Sequence, residues 1–164
     1  MSVICDFRSL DVALGGHGAP LVPIGDKLLF ADYDYCLNIG GFANISFENN
    51  GQRFAYDTCP ANIVLKYYAN ELGEKYDDGG RLASSGEIDL QLLDQLNKLE
   101  YYRQDSPKSL GREWVEDNFI PVVDSFDIPV INKLITICEH IAIQVINNLQ
   151  AGRLLITGGG SYNI

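Results

Sequence analysis

Alternating apolar and polar residues between positions 35 and 57 predict three consecutive β-strands. The first strand ends at a Gly40-Gly41 turn, and the second ends at a hairpin turn over Asn49-Asn50-Gly51. The third is expected to end at Asp57, and Pro60 is expected to open a helix, because proline is favoured at the first helical position. This pattern predicts a three-stranded meander with a carboxylate at the end of its last strand.

Apolar residues recur with helical spacing in the second half of the chain. The predicted helices are Pro60 to Leu72, Ile88 to Leu99, Pro129 to Leu149 and a shorter one near Leu110 to Asn118. Gly73 is expected to end the first helix. Ser84 and Glu87 are expected to form a capping box before the second.

The two ends of the sequence have the pattern of strands followed by glycine-rich loops. Val3 to Phe7 is expected to end a strand, and Arg153 to Thr157 is expected to be an apolar strand entering the turn Gly158 to Gly160. A meander, helices and a returning parallel strand predict an α/β layer of the ribonuclease-H-like type. Both ends are expected to be cut from a longer protein, because such a strand normally leads into a helix.

Composition narrows the classes of partner. The chain has 164 residues, 46% of them hydrophobic, a formal net charge of -10 and a pI near 4.5. This charge argues against nucleic acid or an anionic membrane as a partner. The sequence has no run of 18 apolar residues, and its four cysteines lack metal-site spacing, so reduced thiols and a cytoplasmic location are expected.

Glycine turns beside a strand-end carboxylate are typical of a phosphoryl-transfer site. Glycine lets backbone N–H groups approach a ligand, and Asp57 could act there as a general base. From the residues alone, Asp57 could equally cap a helix, and the glycines could simply form tight turns. Arg8 could bind a carboxylate ligand or form an internal ion pair.

Seven motifs, in order along the chain, resemble the anhydro-N-acetylmuramic acid kinases, a family of the sugar kinase and actin-like ATPase superfamily. They lie at Asp6–Ala13, Gly15–Pro23, Leu37–Ile45, Tyr56–Asn62, Tyr76–Gly80, Pro107–Glu113 and Thr157–Gly160. The chain departs from the family pattern in having His17 in place of Gln and Cys59 in place of Gly. The family's N-terminal phosphate loop, of the type Gly-Thr-Ser-x-Asp-Gly, has no counterpart here.

The resemblance implies an ATP-dependent kinase that opens the ring of 1,6-anhydro-N-acetylmuramic acid and phosphorylates O6, in the recycling of cell-wall sugar. Residues 1–33 would be a remnant of the N-terminal lobe, and residues 34–164 most of the C-terminal lobe, truncated at its end. This segment alone is expected to be inactive. An apolar surface left uncovered would favour a homodimer.

The resemblance also implies a role for each site residue. Asp57 would be the catalytic base. The sugar would be bound by Arg8, His17 and Asn62, and ATP by Gly40, Gly41, Asn44, Gly158, Gly159 and Gly160. Mg²⁺ would arrive with the nucleotide, without a dedicated cage of protein ligands.

Other interpretations of the same residues stay open. The segment could be a non-catalytic module that binds a nucleotide or a partner. It could also be a cysteine hydrolase, with Cys59 activated at a helix N-terminus and His17 or His140 as the base, although His140 is expected to be structural. Lys108 and Arg112 are expected to be solvated surface charges. Asp77 and Asp78 are expected to form a solvated acidic turn rather than part of a Mg²⁺ shell.

Overall fold

The computed structural model describes residues 6–16, 18 and 22–163, whose four strands form one mixed sheet. The strands are β1 (Tyr35–Ile39), β2 (Phe42–Asn49), β3 (Gln52–Pro60) and β4 (Leu154–Thr157). Their order in the sheet is β3-β2-β1-β4. Strand β2 is antiparallel to both of its neighbours, β1 and β3, whereas β4 is parallel to β1. The predicted meander and the returning parallel strand are both confirmed.

The described residues also form seven α-helices. They are α1 (Phe7–Ala13), α2 (Pro23–Leu29), α3 (Asn62–Glu71), α4 (Leu90–Asn97), α5 (Arg112–Trp114), α6 (Ile120–Asp124) and α7 (Val130–Ile146). A π-helical segment, Val115–Phe119, joins α5 to α6 into one continuous helical stretch. Three helices of the second half were therefore predicted close to their observed positions, and the short one continues beyond its predicted end.

The start of the chain differs from its prediction. Phe7 begins α1 instead of ending a strand, and the Asp6 carboxylate caps that helix by accepting a hydrogen bond from the Ser9 amide at 3.3 Å. Val3 to Cys5 lie outside the described residues. Helix α2 was not predicted, because none of its residues is buried and its sequence carries no clear apolar stripe.

The boundary between β3 and α3 was also predicted wrongly. Strand β3 continues past Asp57 to Pro60, which pairs with Phe42, and α3 begins at Asn62. A β-bulge makes this extension fit, because Thr58 is an extra residue opposite the Ala43–Asn44 step. The Thr58 hydroxyl fills the gap by donating to the Ala43 carbonyl at 3.0 Å.

The predicted capping box at α4 is wrong. Asp89 caps this helix instead, since its carboxylate accepts from the amides of Gln91 and Leu92. Ser84 lies in a separate 3₁₀ turn, where its hydroxyl donates to the Arg81 carbonyl at 3.0 Å. Both Asp and Ser can cap a helix, so only the position of the first turn decides which residue does so.

The two faces of the sheet are chemically different. One face packs against α7, on which α3 and α4 pack in turn, and carries the apolar residues of alternate positions, such as Leu37, Ala43 and Ile45, all at most 1% exposed. The opposite face carries the polar residues of the intervening positions. There α2 is attached by hydrogen bonds from Ser46 to Asp26 and from Arg53 to Ser46.

Candidate active site

A row of four polar side chains crosses the polar face of the sheet. Thr157 is paired with Asn38, Asn38 with Asn44, and Asn44 with Asp57, so that each strand contributes one member. The Asn38 amide donates to the Thr157 hydroxyl at 3.2 Å. All four border a cavity of about 660 Å³, a volume suited to a small organic ligand.

Asp57 is the one charged member of this row and is only 6% exposed. Its Oδ2 accepts a hydrogen bond from the Leu110 amide at 2.9 Å, and its backbone carbonyl accepts from the Tyr101 hydroxyl at 2.6 Å. No donor within residues 6–16, 18 and 22–163 reaches Oδ1. Because Asp57 borders the cavity, its carboxylate is buried yet available to a ligand.

Burial raises the pKa of the Asp57 carboxyl, and the hydrogen bond from the Leu110 amide opposes that rise. The alternative that Asp57 caps α3 finds no support, because the amides of Ala61, Asn62 and Ile63 donate to the carbonyls of Gly40 and Gly41. A carboxylate with a raised pKa is a better proton acceptor than an exposed one.

Gly40 and Gly41 border the same cavity, at the tight turn between β1 and β2. The Gly40 amide donates to the Phe42 carbonyl at 3.1 Å, so it is occupied within the hairpin. The Gly41 amide has no acceptor in the described part of the chain. The turn therefore offers a single backbone donor beside Asn44 and Asp57, rather than a row of amides.

Arg8 lies on α1 and borders the cavity together with Asp57. Its exposed side chain forms no ion pair with any described residue. The alternative of an internal ion pair therefore finds no support in the geometry. His17, the second residue predicted to contact the sugar, lies outside the described residues, and its role stays a prediction.

Three of the remaining predicted residues lie at a second cavity, of about 460 Å³. Asn62, Gly159 and Gly160 border it, so Asn62 is apart from Arg8 and Asp57, with which it had been grouped. The Asn62 amide donates to the Ile39 carbonyl at 3.2 Å. Gly158 has φ +89°, and a Cβ there would lie 2.5 Å from the Ile39 carbonyl oxygen. Close packing against β1 therefore explains Gly158 without a ligand.

The geometry corrects the prediction for Lys108 and supports the turn predicted at Asp77 and Asp78. Lys108 is half-buried rather than solvated, and its ammonium donates to the carbonyls of Tyr101 and Gln104 at 3.2 and 3.0 Å. The Asp77 carboxylate accepts from the amides of Leu82 and Ala83, so it stabilises a turn.

Arg112 is a surface charge, as predicted. Its exposed guanidinium pairs with Glu116 one helical turn away, at 2.7 Å. Such an exposed pair stabilises a helix only weakly.

The geometry opposes a cysteine hydrolase. Cys59 is fully buried at the end of β3, and burial raises the pKa of its thiol to about 12, whereas a nucleophilic cysteine needs a lowered pKa. His140 is also fully buried, with its ring nitrogens 2.7 Å from Asn97 Oδ1 and 2.8 Å from the Tyr102 hydroxyl. The prediction that His140 is structural is confirmed.

Neither a protein metal cluster nor a membrane-crossing helix occurs among the described residues. In these ranges, no three His, Cys, Asp or Glu side chains cluster closely enough to hold a metal ion. None of the described helices combines the length and apolar content that a membrane crossing requires.

Sequence reasoning missed Asn38, Thr157, Leu110 and Tyr101 as contributors to the site. Asn38 and Thr157 belong to strands 119 residues apart in the chain, so only the register of β1 with β4 brings them together. Leu110 acts through its backbone amide, which leaves no signature in the residue type. A single polar residue near the end of each of these mostly apolar strands is the one signal that could have indicated the first two.

The fold and the cavity together define a mixed α/β protein with a buried carboxylate beside a glycine turn. A family model described as anhydro-N-acetylmuramic acid kinase matches residues 1–164. The chain therefore belongs to the anhydro-N-acetylmuramic acid kinase family.

Curated proteins of that name are similar along the whole chain. One from Shewanella oneidensis is 37% identical over 175 residues, which cover 99% of this chain and 47% of the relative. One from Shewanella baltica is 38% identical over 176 residues, with the same coverage. One from Shewanella amazonensis is 36% identical over 176 residues, covering 100% of this chain and 48% of the relative. The chain thus spans about half the length of the curated relatives it matches.

Proposed function

We propose that this chain is part of an ATP-dependent kinase of 1,6-anhydro-N-acetylmuramic acid, with Asp57 as the general base. The observation that carries the proposal is the Asp57 carboxylate, which is buried, has a raised pKa and keeps Oδ1 free of described donors beside a 660 Å³ cavity. Membership of the family, and relatives that bear the name of this kinase, support the choice of substrate.

The proposed reaction couples hydrolysis of the sugar to phosphoryl transfer. Asp57 takes a proton from a water molecule, the water oxygen bonds to the anomeric carbon, and the bond between that carbon and O6 breaks. The released O6 then bonds to the γ-phosphorus of ATP, and ADP leaves with the electrons of the bond that breaks. Asp57 afterwards returns its proton to solvent.

Arg8 is proposed to bind the lactyl carboxylate of the sugar. It borders the cavity that contains Asp57 and has no carboxylate partner in the described ranges. A guanidinium binds a carboxylate through two parallel hydrogen bonds, so it would orient the sugar as well as attract it. The polar side chains of Asn38 and Thr157 would offer hydrogen bonds to the hydroxyl groups of the sugar.

The nucleotide is proposed to use both cavities. Gly40, Gly41 and Asn44 would face the phosphates, while Gly158, Gly159 and Gly160 would lie on the adenosine side. Mg²⁺ would neutralise the phosphate charge as the nucleotide's own ion, since the described residues offer no metal cluster.

The proposed function also implies a two-lobed architecture. The strand order β3-β2-β1-β4, with a parallel β4, supports a ribonuclease-H-like layer for residues 34–164. Residues 1–33 would belong to the N-terminal lobe. Sugar and ATP would then meet in a cleft between two lobes, whose closure would exclude bulk water.

The proposal is tested by measuring ADP release from Mg-ATP and the anhydro sugar. The enzyme in this assay is the full-length gene product that contains this chain. Asp57→Asn should lower kcat by about 10²- to 10⁴-fold, the usual contribution of a general base. Asp94→Asn, an equal change of charge at an exposed residue paired with Lys98, should leave kcat unchanged. Retained turnover in Asp57→Asn would show that the base is assigned wrongly.

The 164-residue chain should be tested beside it for nucleotide and sugar binding by calorimetry. Binding without turnover in both proteins would favour the non-catalytic binding module over the kinase.

A further inference from the structure

The segment from Tyr101 to Leu110 folds back onto β3 and is held by Lys108. The Lys108 ammonium donates to the carbonyls of Tyr101 and Gln104 at 3.2 and 3.0 Å. It also lies 4.8 Å from the centre of the Tyr101 ring, within the range of a cation–π contact. One side chain thus fixes both ends of this segment to each other.

The same segment surrounds the backbone and side chain of Asp57. The Asp57 amide donates to the Lys108 carbonyl at 3.4 Å, and the Tyr101 hydroxyl donates to the Asp57 carbonyl at 2.6 Å. The Leu110 amide donates to Asp57 Oδ2 at 2.9 Å. These contacts come from Lys108 itself, from Tyr101, to which Lys108 donates a hydrogen bond, and from Leu110, two residues further along the chain.

Lys108 is an unusual residue to find in this place. It is half-buried, and no carboxylate of a described residue lies within ion-pair distance of its ammonium. Burial lowers the pKa of its ammonium, while nearby Asp105 raises it. Because this ammonium binds backbone carbonyls and an aromatic ring, it stabilises the conformation of the Tyr101–Leu110 segment rather than neutralising a carboxylate.

We propose that Lys108 is a positioning residue for Asp57. By closing the Tyr101–Leu110 segment, it directs the Leu110 amide to Oδ2 and leaves Oδ1 turned to the cavity. Its relevance to catalysis rests on the proposed function, in which Asp57 is the base, but the positioning itself can be measured without turnover.

The experiment is a carbon-13 NMR titration of the Asp57 carboxyl in the whole 164-residue chain and three Lys108 variants. Lys108→Met keeps the length and the contact with the Tyr101 ring but donates no hydrogen bond. Lys108→Gln removes the same charge but can still donate to one carbonyl. Lys108→Arg keeps both the charge and the donors, and Lys98→Met serves as a surface control.

We expect the pKa of Asp57 to rise most in Lys108→Met, because the Leu110 hydrogen bond favours the ionised carboxylate. The rise should be smaller in Lys108→Gln and absent in Lys108→Arg and Lys98→Met. The exchange of the Leu110 amide with solvent should accelerate in the same order.

Equal rises in the Met and Gln variants would show a direct effect of charge and overturn the proposal. A lower melting temperature with an unchanged pKa would show a merely structural role and overturn it as well. If Lys108→Met does not fold, the Leu110 amide decides the question: a pKa rise in Lys108→Gln with faster exchange of that amide supports the proposal, and a pKa rise without faster exchange overturns it.

In the longer gene product, Lys108→Met should lower kcat by about 10- to 100-fold with little change in KM for the sugar, as misplacement of a catalytic group does. Retained turnover in Asp57→Asn would overturn the proposed function while leaving the NMR result intact. The two proposals can therefore fail separately.

Discussion

Asp57 is a carboxylic acid that the fold keeps away from water while providing one hydrogen bond to one of its oxygens. This arrangement is unfavourable for stability, since burial disfavours the charged form that exists at neutral pH. An acid kept at such a cost is typical of a functional site. The consequence for stability can be measured without any assay of activity.

Asp57→Asn should raise the free energy of unfolding at pH 7. The pKa of Asp57 in the folded state lies above its ordinary value of 3.8. At a pH between 3.8 and that folded pKa, the folded state therefore binds more protons than the unfolded state. The free energy of unfolding consequently falls as the pH rises through this range. Asn removes this dependence, and its side-chain oxygen can still accept from the Leu110 amide. Urea unfolding at pH 7 and at pH 3.5 measures the gap between variant and wild type, which should narrow in acid. A variant less stable than wild type at pH 7 would contradict the expectation.

His140 should make the protein sensitive to acid. Burial lowers the pKa of its imidazole from 6.5 to about 3, so the unfolded state binds an extra proton between these values. Stability should therefore fall as pH decreases from 6.5 towards 3.

The difference in unfolding free energy between wild type and His140→Gln isolates this contribution from that of the many carboxylates. The variant should be less stable at pH 7, because the hydrogen bonds with Asn97 and Tyr102 are disturbed, and the deficit should shrink in acid. A deficit that stays constant with pH would show that the imidazole is not held neutral.

Residue type and position in the sequence predicted a catalytic acid at residue 57, and Asp57 does border the cavity, but they could not describe its surroundings. Leu110 contacts it through the backbone, and Tyr101 is 44 residues away. The role of Lys108 was missed for a related reason, since a lysine between Pro107 and Ser109 in a polar segment resembles any exposed lysine. Tertiary contacts, which a local pattern does not contain, decide these cases.

At the scale of elements, two glycines with positive φ allow the cost of backbone strain to be compared with the cost of strain plus close packing. Gly51 has φ +77° and open space within 4 Å of where a Cβ would lie, whereas at Gly158, with φ +89°, a Cβ would lie 2.5 Å from the Ile39 carbonyl oxygen. Gly51→Ala should cost about 1 kcal/mol from strain alone. Gly158→Ala should cost more, because the backbone that follows β4 must also move away from Ile39 of β1.

Chemical denaturation of the two variants measures this difference. Equal costs would show that the end of β4 yields to the new methyl group without disturbing β1.

Elements with a strong periodic pattern were predicted well, and those fixed by a single contact were not. The meander and α7 bury one regular face, so alternation or helical spacing indicates them. Helix α2 has no buried residue, and its position depends on hydrogen bonds to Ser46 and Arg53 that no local signal reveals. The start of α3 was predicted too early because the Thr58 bulge extends β3.

At the scale of the whole molecule, stability is expected to be uneven. Helix α7 contributes eight buried residues, whereas α2 leaves Ile24, Leu28 and Leu29 64–76% exposed and is held by polar contacts. In hydrogen exchange, amides of α2 should therefore exchange much faster than those of α7.

Ser46→Ala should accelerate exchange in α2 further, since it removes the hydroxyl that joins Asp26 to Arg53, and should leave α7 unchanged. Ser125→Ala, which removes only a local hydrogen bond to the Val122 carbonyl, is the matched control. Equal protection of α2 and α7 in the wild type would contradict this division. The homodimer suggested by the sequence stays a prediction, which sedimentation of the same samples would test.

The bulge at Thr58 has a practical consequence for following the molecule as it opens. If Thr58 were not an extra residue, the alternation of side chains along β3 would direct the Cys59 sulfur towards the cavity. Because of the bulge, Cys59 instead points to the helix-covered face of the sheet and is 0% exposed. An alkylating reagent can reach this sulfur only when the sheet separates from its helices. Mass spectrometry of the peptide that contains Cys59 would thus report how often the core opens, with the native sequence serving as its own label.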